Sequence, residues 1–334
     1  MKLRRILSGL LVAASAAMGA ATGLAYTLLP DRLAAFTVFP FWFWGGIGLG
    51  LAALAWFLRR SRTAAAVVAL WLPCIPLGSD ETRALLRFGR NAPQPGPAAA
   101  WRERPVLRVL TLNCSSFGHG DPTADIARWQ PDIVLLQEVW PHQAARIAAQ
   151  LYQGRGEFRS FRTNAIITRW HIEAQRHSQV HRHHQCTIVL PNGKRLEVAN
   201  LHLASAATDM RLWHASAWRL HHANRATHSR ELAEVVRLAT QPLHGSAPPT
   251  LLGGDFNSGS ADPVYRLIPA DFTDAFRTAG TGWGDTFQRR VPILRLDRLF
   301  ASRHLVPVRC RAVTTPHSDH RMVVADFLTE LTGP

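Results

Sequence analysis

The sequence predicts an α/β domain, sheet layers covered by helices, behind a set of apolar helices at the front of the chain. Three features predict it. Residues 6–29 and 33–58 are long apolar runs without a charge. Beyond residue 105 the pattern changes to short apolar runs, many β-branched, broken by turn signals. Stretches of helical spacing fall between those runs. Short β-branched runs read as strands, and longer stretches with an apolar face read as helices.

Each of the two leading runs meets the roughly 20 apolar residues that a spanning helix needs. A third run, AAAVVALWLPCIPLG at 64–78, is shorter and carries Pro73 and Pro76. Residues 1–80 are thus expected to form a membrane anchor of two to three transmembrane helices, at about 6–29, 33–58 and 64–78. The basic start and SAAMGA resemble a cleavable leader, but the long apolar core and the second run behind it favour uncleaved spans. Lys2, Arg4 and Arg5 precede the first span, and Arg59, Arg60 and Arg62 follow the second. The loop between them has only Arg32, beside Asp31. Positive residues stay in the cytoplasm. A third span then puts the rest of the chain outside the cytoplasm, on the cell inner membrane. If 64–78 only lies on the bilayer, the domain faces the cytoplasm instead.

The formal charge of +15 suits an anionic substrate. It does not mark a nucleic-acid groove, because the arginines are scattered and Lys2 and Lys194 are the only lysines. Four cysteines in 334 residues make no disulfide framework, and no CxxC pair suggests a zinc site. A Cys186–Cys310 bridge has no support beyond compartment.

The soluble part follows in order. Residues 81–104 are expected to be a linker, with the Pro- and Ala-rich NAPQPGPAAAWRERP at 91–105. Strands are predicted at 106–113, 132–138, 164–169, 186–191, 195–203, 249–255, 295–302, 307–313 and 322–328. NGK between the fourth and fifth is a hairpin signal. Helices are predicted at 122–130, 141–151 and 211–239. Trp213 and Trp218 in the last of these read as packing residues.

Strand after strand ends on a polar residue. VLTLN ends at Asn113, IVLLQE at Glu138, and VANLHL carries His202. LLGGDFN, 251–257, ends in Asp255 and Asn257. RLDRLF carries Asp297, and HSDH puts Asp319 and His320 before the final strand. Each has a bland reading: a turn cap, a solvated helix start, a satisfied histidine, an Asp297 pairing with Arg295 or Arg298. Together they are harder to dismiss, because polar groups ending apolar strands are costly to bury without partners. If the backbone stays extended through LLGGDFN, Asp255 and Asn257 share one face, and Gly253 and Gly254 let a ligand approach. Carboxylates and amide oxygens suit Mg²⁺ or Mn²⁺, while histidine and asparagine can hold a phosphate. That is equipment for metal-assisted attack of water on a phosphate ester.

TLN, LLQE, ANLHL, GGDFN, LDRLF and SDH, in this order, resemble the endonuclease/exonuclease/phosphatase (DNase-I-like) superfamily. The resemblance covers about residues 105–330, and GDFN and the terminal SDH are its most specific pieces. It implies a four-layer αββα sandwich, two central mixed sheets flanked by helices, with the site at one edge. It implies Glu138 as main metal ligand, Asn113 beside it and Asp319 completing the metal site, with Mg²⁺ or Mn²⁺ bound. Asp255 and Asn257 would bind the attacking water and the phosphate, His202 would contact phosphate oxygens, and Asp297 would orient His320. Either Asp255 or His320 serves as base. The whole then reads as a membrane-anchored phosphodiesterase acting on nucleic acid or a phospholipid or sphingolipid headgroup, with no protein partner expected.

Some residues fall outside this scheme. The tyrosine that many nucleases of the family bring to the substrate has no clear equivalent. Asn164 resembles the family's GNAILSR element, which places Arg162 or Phe161 near the substrate. His177, His181, His183 and His184 form a cluster that reads as an exposed loop or strand edge, because no carboxylate or cysteine accompanies them. Cys114 should point into the core. Two other functions compete: a membrane-tethered binding protein that keeps the fold without chemistry, and a histidine-rich metal chaperone.

Overall fold

A computed structural model describes residues 2–87, 92–102, 104–178, 182–207, 209–241 and 248–329. The chain opens with helices α1 (Lys2–Leu28), α2 (Ala34–Thr37), α3 (Phe41–Arg59), α4 (Arg62–Gly78) and α5 (Asp80–Leu85). Then come β1 (Val106–Asn113), α6 (Thr123–Ala127), β2 (Ile133–Gln137), α7 (Pro141–Leu151), β3 (Glu157–Phe161), β4 (Asn164–Thr168) and β5 (His171–His177). They are followed by β6 (His183–Val189), β7 (Arg195–His202), α8 (Ala215–Ala239), β8 (Thr250–Asp255) and β9 (Phe272–Asp274). The described chain closes with α9 (Ala275–Ala279), β10 (Asp297–Ser302), β11 (Leu305–Val313) and β12 (Met322–Thr329).

The strands form two six-stranded sheets, β11-β12-β1-β2-β4-β3 and β5-β6-β7-β8-β10-β9. Each has one parallel pair at its centre, β1 with β2 and β7 with β8. Three apolar clusters define four layers. Leu107, Val109, Leu135, Ile188, Val198, Leu251 and Leu299 fill the space between the sheets. Leu110, Leu112, Val134 and Leu136 turn outward to meet Ile126 and Ile147 of α6 and α7. Leu201, Leu252 and Phe300 meet Leu232 and Val235 of α8. Alternate residues of β1 and β2 thus serve different cores, so these strands read as unbroken apolar runs. This is the αββα sandwich that the sequence resemblance implies.

Three strands escaped prediction: β3, β5 and β9, all sheet edges. EFRSF and HIEAQRH carry charged residues on half-exposed positions, a composition that blunts an edge but hides the strand pattern. The helix predicted over 211–239 starts later, at Ala215. Trp218 is partly buried, its indole N–H donating to the Leu212 carbonyl at 2.7 Å. Trp213 lies before the helix and is 78 % exposed, so it is no packing residue. The NGK hairpin is present, with Gly193 in a left-handed conformation.

The histidine expectation is corrected too. His183 and His184 are buried on β6, an interior strand, and His177 on β5 stacks against Phe161. His181 lies outside the described residues. Consecutive on a strand, the His183 and His184 side chains point to opposite faces, and His184 meets the Arg159 carbonyl of the opposing sheet at 3.3 Å. Burial lowers the His184 imidazole to about 3, so it is neutral. All four cysteines are free, and Cys114 is buried, as expected.

At the front, α1 and α3 are long and apolar enough to cross a membrane; α4 is shorter. Ser8 donates to the Ala55 carbonyl at 3.0 Å and Ser15 to that of Gly48 at 2.7 Å, so α1 and α3 run antiparallel. The Trp71 ring of α4 lies where a Gly48 side chain would be, and Gly78 at the end of α4 faces Phe41 at the start of α3. Hence α4 runs back along α3 to the same end. There the segment between α1 and α3 and the first turn of α3 meet the sandwich: Arg225 of α8 donates to Thr37 at 2.6 Å, and Trp42 to Asp285 at 3.2 Å.

The linker expected over 81–104 is not free. Its first residues belong to α5, and Glu81 is fully buried, accepting from Arg295 at 2.8 Å and Ser260 at 2.6 Å. Arg108 donates to the Gln94 and Gly96 carbonyls at 2.9 and 2.8 Å. Buried guanidinium groups need oxygen partners. This segment supplies them, which composition alone does not reveal.

Candidate active site

The topology brings the polar strand ends together. β1 and β2 are parallel with Asn113 opposite Gln137, so Asn113 and Glu138 leave the first sheet at the same edge. In the second sheet His202 lies opposite Asp255, and Asp255 opposite Asp297. Asp319 and His320 enter from the turn before β12. Asn113, Glu138, His202, Asp255, Asn257, Asp319 and His320 line one cavity of about 370 Å³, together with Ser115 and Phe287. Asp297 stands behind His320. All eight residues expected from the sequence are thus in one place.

Asn113 ties both sheets together. Its amide nitrogen donates to Glu138 at 3.1 Å and to Asp255 at 3.0 Å. Its oxygen accepts from the Ser115 backbone N–H at 2.9 Å. The amide thus presents N–H to both carboxylates and braces Glu138 against Asp255. His202 lies 3.9 Å from Glu138 and 3.8 Å from Asp255, with Nδ1 buried and without a hydrogen-bond partner.

His320 pairs through Nδ1 with Asp297 at 2.8 Å, both buried. Arg295 and Arg298 do not compete for that carboxylate; they turn to Asp274. Burial opposes the charge on His320, but Asp297, with Asp255 and Asp319 nearby, holds its proton up to about 10. Burial raises the Asp297 carboxyl and the imidazolium opposes this. The proton belongs on the imidazole, which faces three carboxylates, and the pair is an ion pair. Asp255, Asp297 and His320 each bring one ligand atom within 4.8 Å of the others.

The LLGGDFN stretch resolves differently from the extended reading. β8 ends at Asp255, and Asn257 is left-handed at φ 47°. The Asn257 backbone N–H donates to Asp255 Oδ1 at 2.9 Å, a local turn, while its side chain donates to the Leu203 carbonyl at 3.1 Å. The turn and the site are one feature. The glycines do not admit a ligand. A Cβ on Gly253 would strike Leu299 and Leu135, and one on Gly254 would lie 2.0 Å from the Leu201 carbonyl. They allow the sheets and the neighbouring strand to close up.

Sequence reasoning missed the serines. Ser115 donates to Asp319, and Ser116 to Glu138 at 3.0 Å. Ser318 donates to the Asn113 carbonyl at 2.6 Å and accepts from the His320 backbone at 2.9 Å. Ser115, Ser116 and Glu138 all have left-handed φ between 46° and 53°. Such non-glycine positions each cost on the order of 1 kcal/mol, and they cluster where side chains must be aimed. A buried amide pair was missed as well: Gln137 donates to Asn200 at 2.7 Å between the sheets. Asn164 donates to the Arg182 carbonyl at 2.7 Å and is fully buried. Neither Phe161 nor Arg162 lines the cavity.

A two-sheet sandwich with carboxylates, amides and a carboxylate-backed histidine at one edge defines the DNase-I-like class of fold. The chain belongs to the endonuclease/exonuclease/phosphatase family, whose pattern matches residues 110–320, a span holding every residue of the site. No curated protein sequence matches the chain significantly. Among solved structures it is similar to the human Nocturnin catalytic domain with bound sulfate, at 19 % identity and TM-score 0.51, over 67 % of this chain and 94 % of that one. It is also similar to D. rerio TDP2 complexed with a single-strand DNA product, at 17 % identity and TM-score 0.51, over 67 % and 99 %. Members of the family are typically metal-dependent phosphoesterases or nucleases.

Proposed function

We propose that this protein is a membrane-anchored, divalent-metal-dependent phosphodiesterase. The observation that carries the reading is the convergence of Glu138, Asp255, Asp319, His202 and the Asp297–His320 pair on one cavity. The donor set fits a hard cation. Three carboxylates line the cavity, Asp255 buried and Glu138 and Asp319 half-buried, and carboxylate oxygens gathered on one cavity are the ligands a hard cation takes. Glu138 and Asp319, both lining the cavity, would hold Mg²⁺ or Mn²⁺, and Asn113, which donates to Glu138, keeps that carboxylate in place. When bound, the metal supplies positive charge for the phosphate oxygens and the departing oxygen, worth several kcal/mol.

The chain's own residues do the rest. Asp255 accepts the proton of the attacking water, and Asn257 sets that carboxylate through its backbone N–H. His320, kept protonated by Asp297, faces the phosphate with Nε2. His202 offers its ring to the phosphate oxygens. The water oxygen bonds to phosphorus as the bond from phosphorus to the leaving alcohol breaks, and that alcohol takes a proton from solvent.

The anchor holds this site at the inner membrane. The +15 charge of the chain favours an anionic substrate, nucleic acid or lipid headgroup. The test uses the full chain in detergent with Mg²⁺ or Mn²⁺, against bis-p-nitrophenyl phosphate, single- and double-stranded DNA, sphingomyelin and inositol phosphates. Hydrolysis that stops with chelator and in Asp255→Asn supports the reading. A folded protein that cleaves none of them, or an Asp255→Asn variant with undiminished turnover, overturns it.

A further inference from the structure

Beside the site lies a second cavity of about 490 Å³ of opposite character. Its walls are Val38 and Phe39 from the segment between α1 and α3, Ala207 and Met210 from the chain before α8, His221 of α8, and the Phe287–Leu294 turn. Phe287 belongs to both cavities, and Ala206 of the active site adjoins Ala207 of the second. Phe287 also bridges to His320 through the backbone. The apolar slot therefore opens next to the group that would face the phosphate.

Two more observations say what fills it. First, one wall is the anchor itself: Val38 and Phe39 come just before α3, one of the two helices apolar enough to cross a membrane. Second, the rim carries large apolar side chains turned to solvent. Val291 is 72 % exposed and Met210 53 %. Isolated exposed apolar residues mean little, but a group of them around a slot marks an interaction surface.

We propose that the slot takes the hydrocarbon chain of a membrane amphiphile whose phosphodiester lies in the active site. This rests on the proposed phosphodiesterase reading and names its substrate class: a phospholipid-type diester, entering from the bilayer in which α1 and α3 sit. The volume is within the usual range of about 300–1,000 Å³ for small-molecule sites. Nucleic-acid binding rests first on backbone phosphates, and the lining offers them no lysine or arginine.

The experiment compares wild type, Val291→Asp and Met210→Asp as full chains in detergent micelles with Mg²⁺. The substrates are bis-p-nitrophenyl phosphate, a DNA oligonucleotide, and dioleoyl and dihexanoyl forms of phosphatidylcholine, phosphatidylethanolamine and phosphatidylglycerol. Both positions are exposed, so the fold should survive, and neither belongs to the catalytic set. We expect a dioleoyl lipid to be the best substrate. The variants should lower kcat/KM on it by about tenfold or more, because a carboxylate in an apolar slot costs its desolvation. Their rate on bis-p-nitrophenyl phosphate should stay within about twofold of wild type, in keeping with surface substitutions remote from the reacting atoms. Cleavage of bis-p-nitrophenyl phosphate or DNA without cleavage of any lipid overturns the inference and leaves the phosphodiesterase reading standing. So does lipid cleavage that both variants leave unchanged. No hydrolysis of anything overturns both.

Discussion

At the scale of single residues, the site works as coupled units. Asp297 touches His320 and Thr286 but does not line the cavity. Asp297→Asn should therefore act through the imidazole, lowering kcat by about 10²–10⁴, the range for a misdirected acid–base group. His320→Ala should cost a similar factor, and the double variant little more, since members of one unit are not additive. Steady-state rates with circular dichroism on the three variants check this; additive losses would mean the two act apart. A second prediction follows from the glycine correction. Gly254→Ala places its Cβ against the Leu201 carbonyl in a backbone held at φ 134°. It should destabilise the fold by about 2 kcal/mol or more, seen as a lowered unfolding midpoint. If Gly254 instead made room for a ligand, stability would hold and only activity would fall. The sequence made Asp255, Glu138, His202 and His320 legible because each ends or adjoins an apolar strand. It hid Ser115, Ser116 and Ser318, because serine in a loop is ordinary and only left-handed backbone at 115 and 116 aims them inward. It also misread Gly253 and Gly254, whose neighbours Leu135 and Leu201 belong to strands far away in the chain.

At the scale of elements, long-range partners decide what local pattern cannot. β6 begins in the middle of a histidine run because both flanking strands cover it, and His184 is left with one 3.3 Å contact to the Arg159 carbonyl. Its imidazole titrates near 6.5 when unfolded and at about 3 when folded. Between these values the unfolded chain binds a proton that the folded chain refuses, so stability is full above about pH 6.5 and falls as pH drops toward 3. From pH 7 to 5 the loss from this group is about 2 kcal/mol. His184→Gln should remove that part of the slope, measured as urea unfolding free energies of variant and wild type at both pH values; parallel curves would show that His184 charges freely in the fold. α5 is the converse case, an element inside an expected linker. Its Glu81 is pinned by Arg295, which also holds Asp80 and Asp274. Arg295 holds Glu81 below the ordinary carboxylate range against its burial. Glu81→Gln leaves a buried guanidinium short of a partner and should cost about 3–5 kcal/mol. Urea titration decides, and a loss below about 1 kcal/mol, the worth of a surface pair, would mean that solvent reaches the cluster. The short apolar runs could reveal β1, β2 and β8; they could not reveal that residues 80 and 81 answer an arginine more than 200 positions later.

At the scale of the whole molecule, if the apolar helices anchor the chain as proposed, their direction sets on which side the candidate site lies. Apolar length shows α1 and α3 as candidate spans from sequence alone, but the sequence left α4 undecided because of its length and its two prolines. Packing supplies the missing argument. α4 starts two residues after α3 ends and finishes with Gly78 against Phe41 at the other end of α3. A helix that returns along the full length of a span crosses what that span crosses. Lys2, Arg4, Arg5, Arg59, Arg60 and Arg62 then gather at one end of the three helices, and the 29–40 segment, α5 and the sandwich at the other. Positive residues favour the cytoplasm, so the cavity with Asp255 and His320 should open outside it. Alkaline phosphatase, active only outside the cytoplasm, fused after Pro334 should give active enzyme, and a fluorescent protein that matures only in the cytoplasm should stay dark. Deleting residues 62–78 removes the third crossing, and the two signals should exchange. A dark phosphatase and a bright fluorescent fusion in the intact chain would mean that α4 lies along the bilayer surface. In that case the substrate reaches the site from the cytoplasmic leaflet.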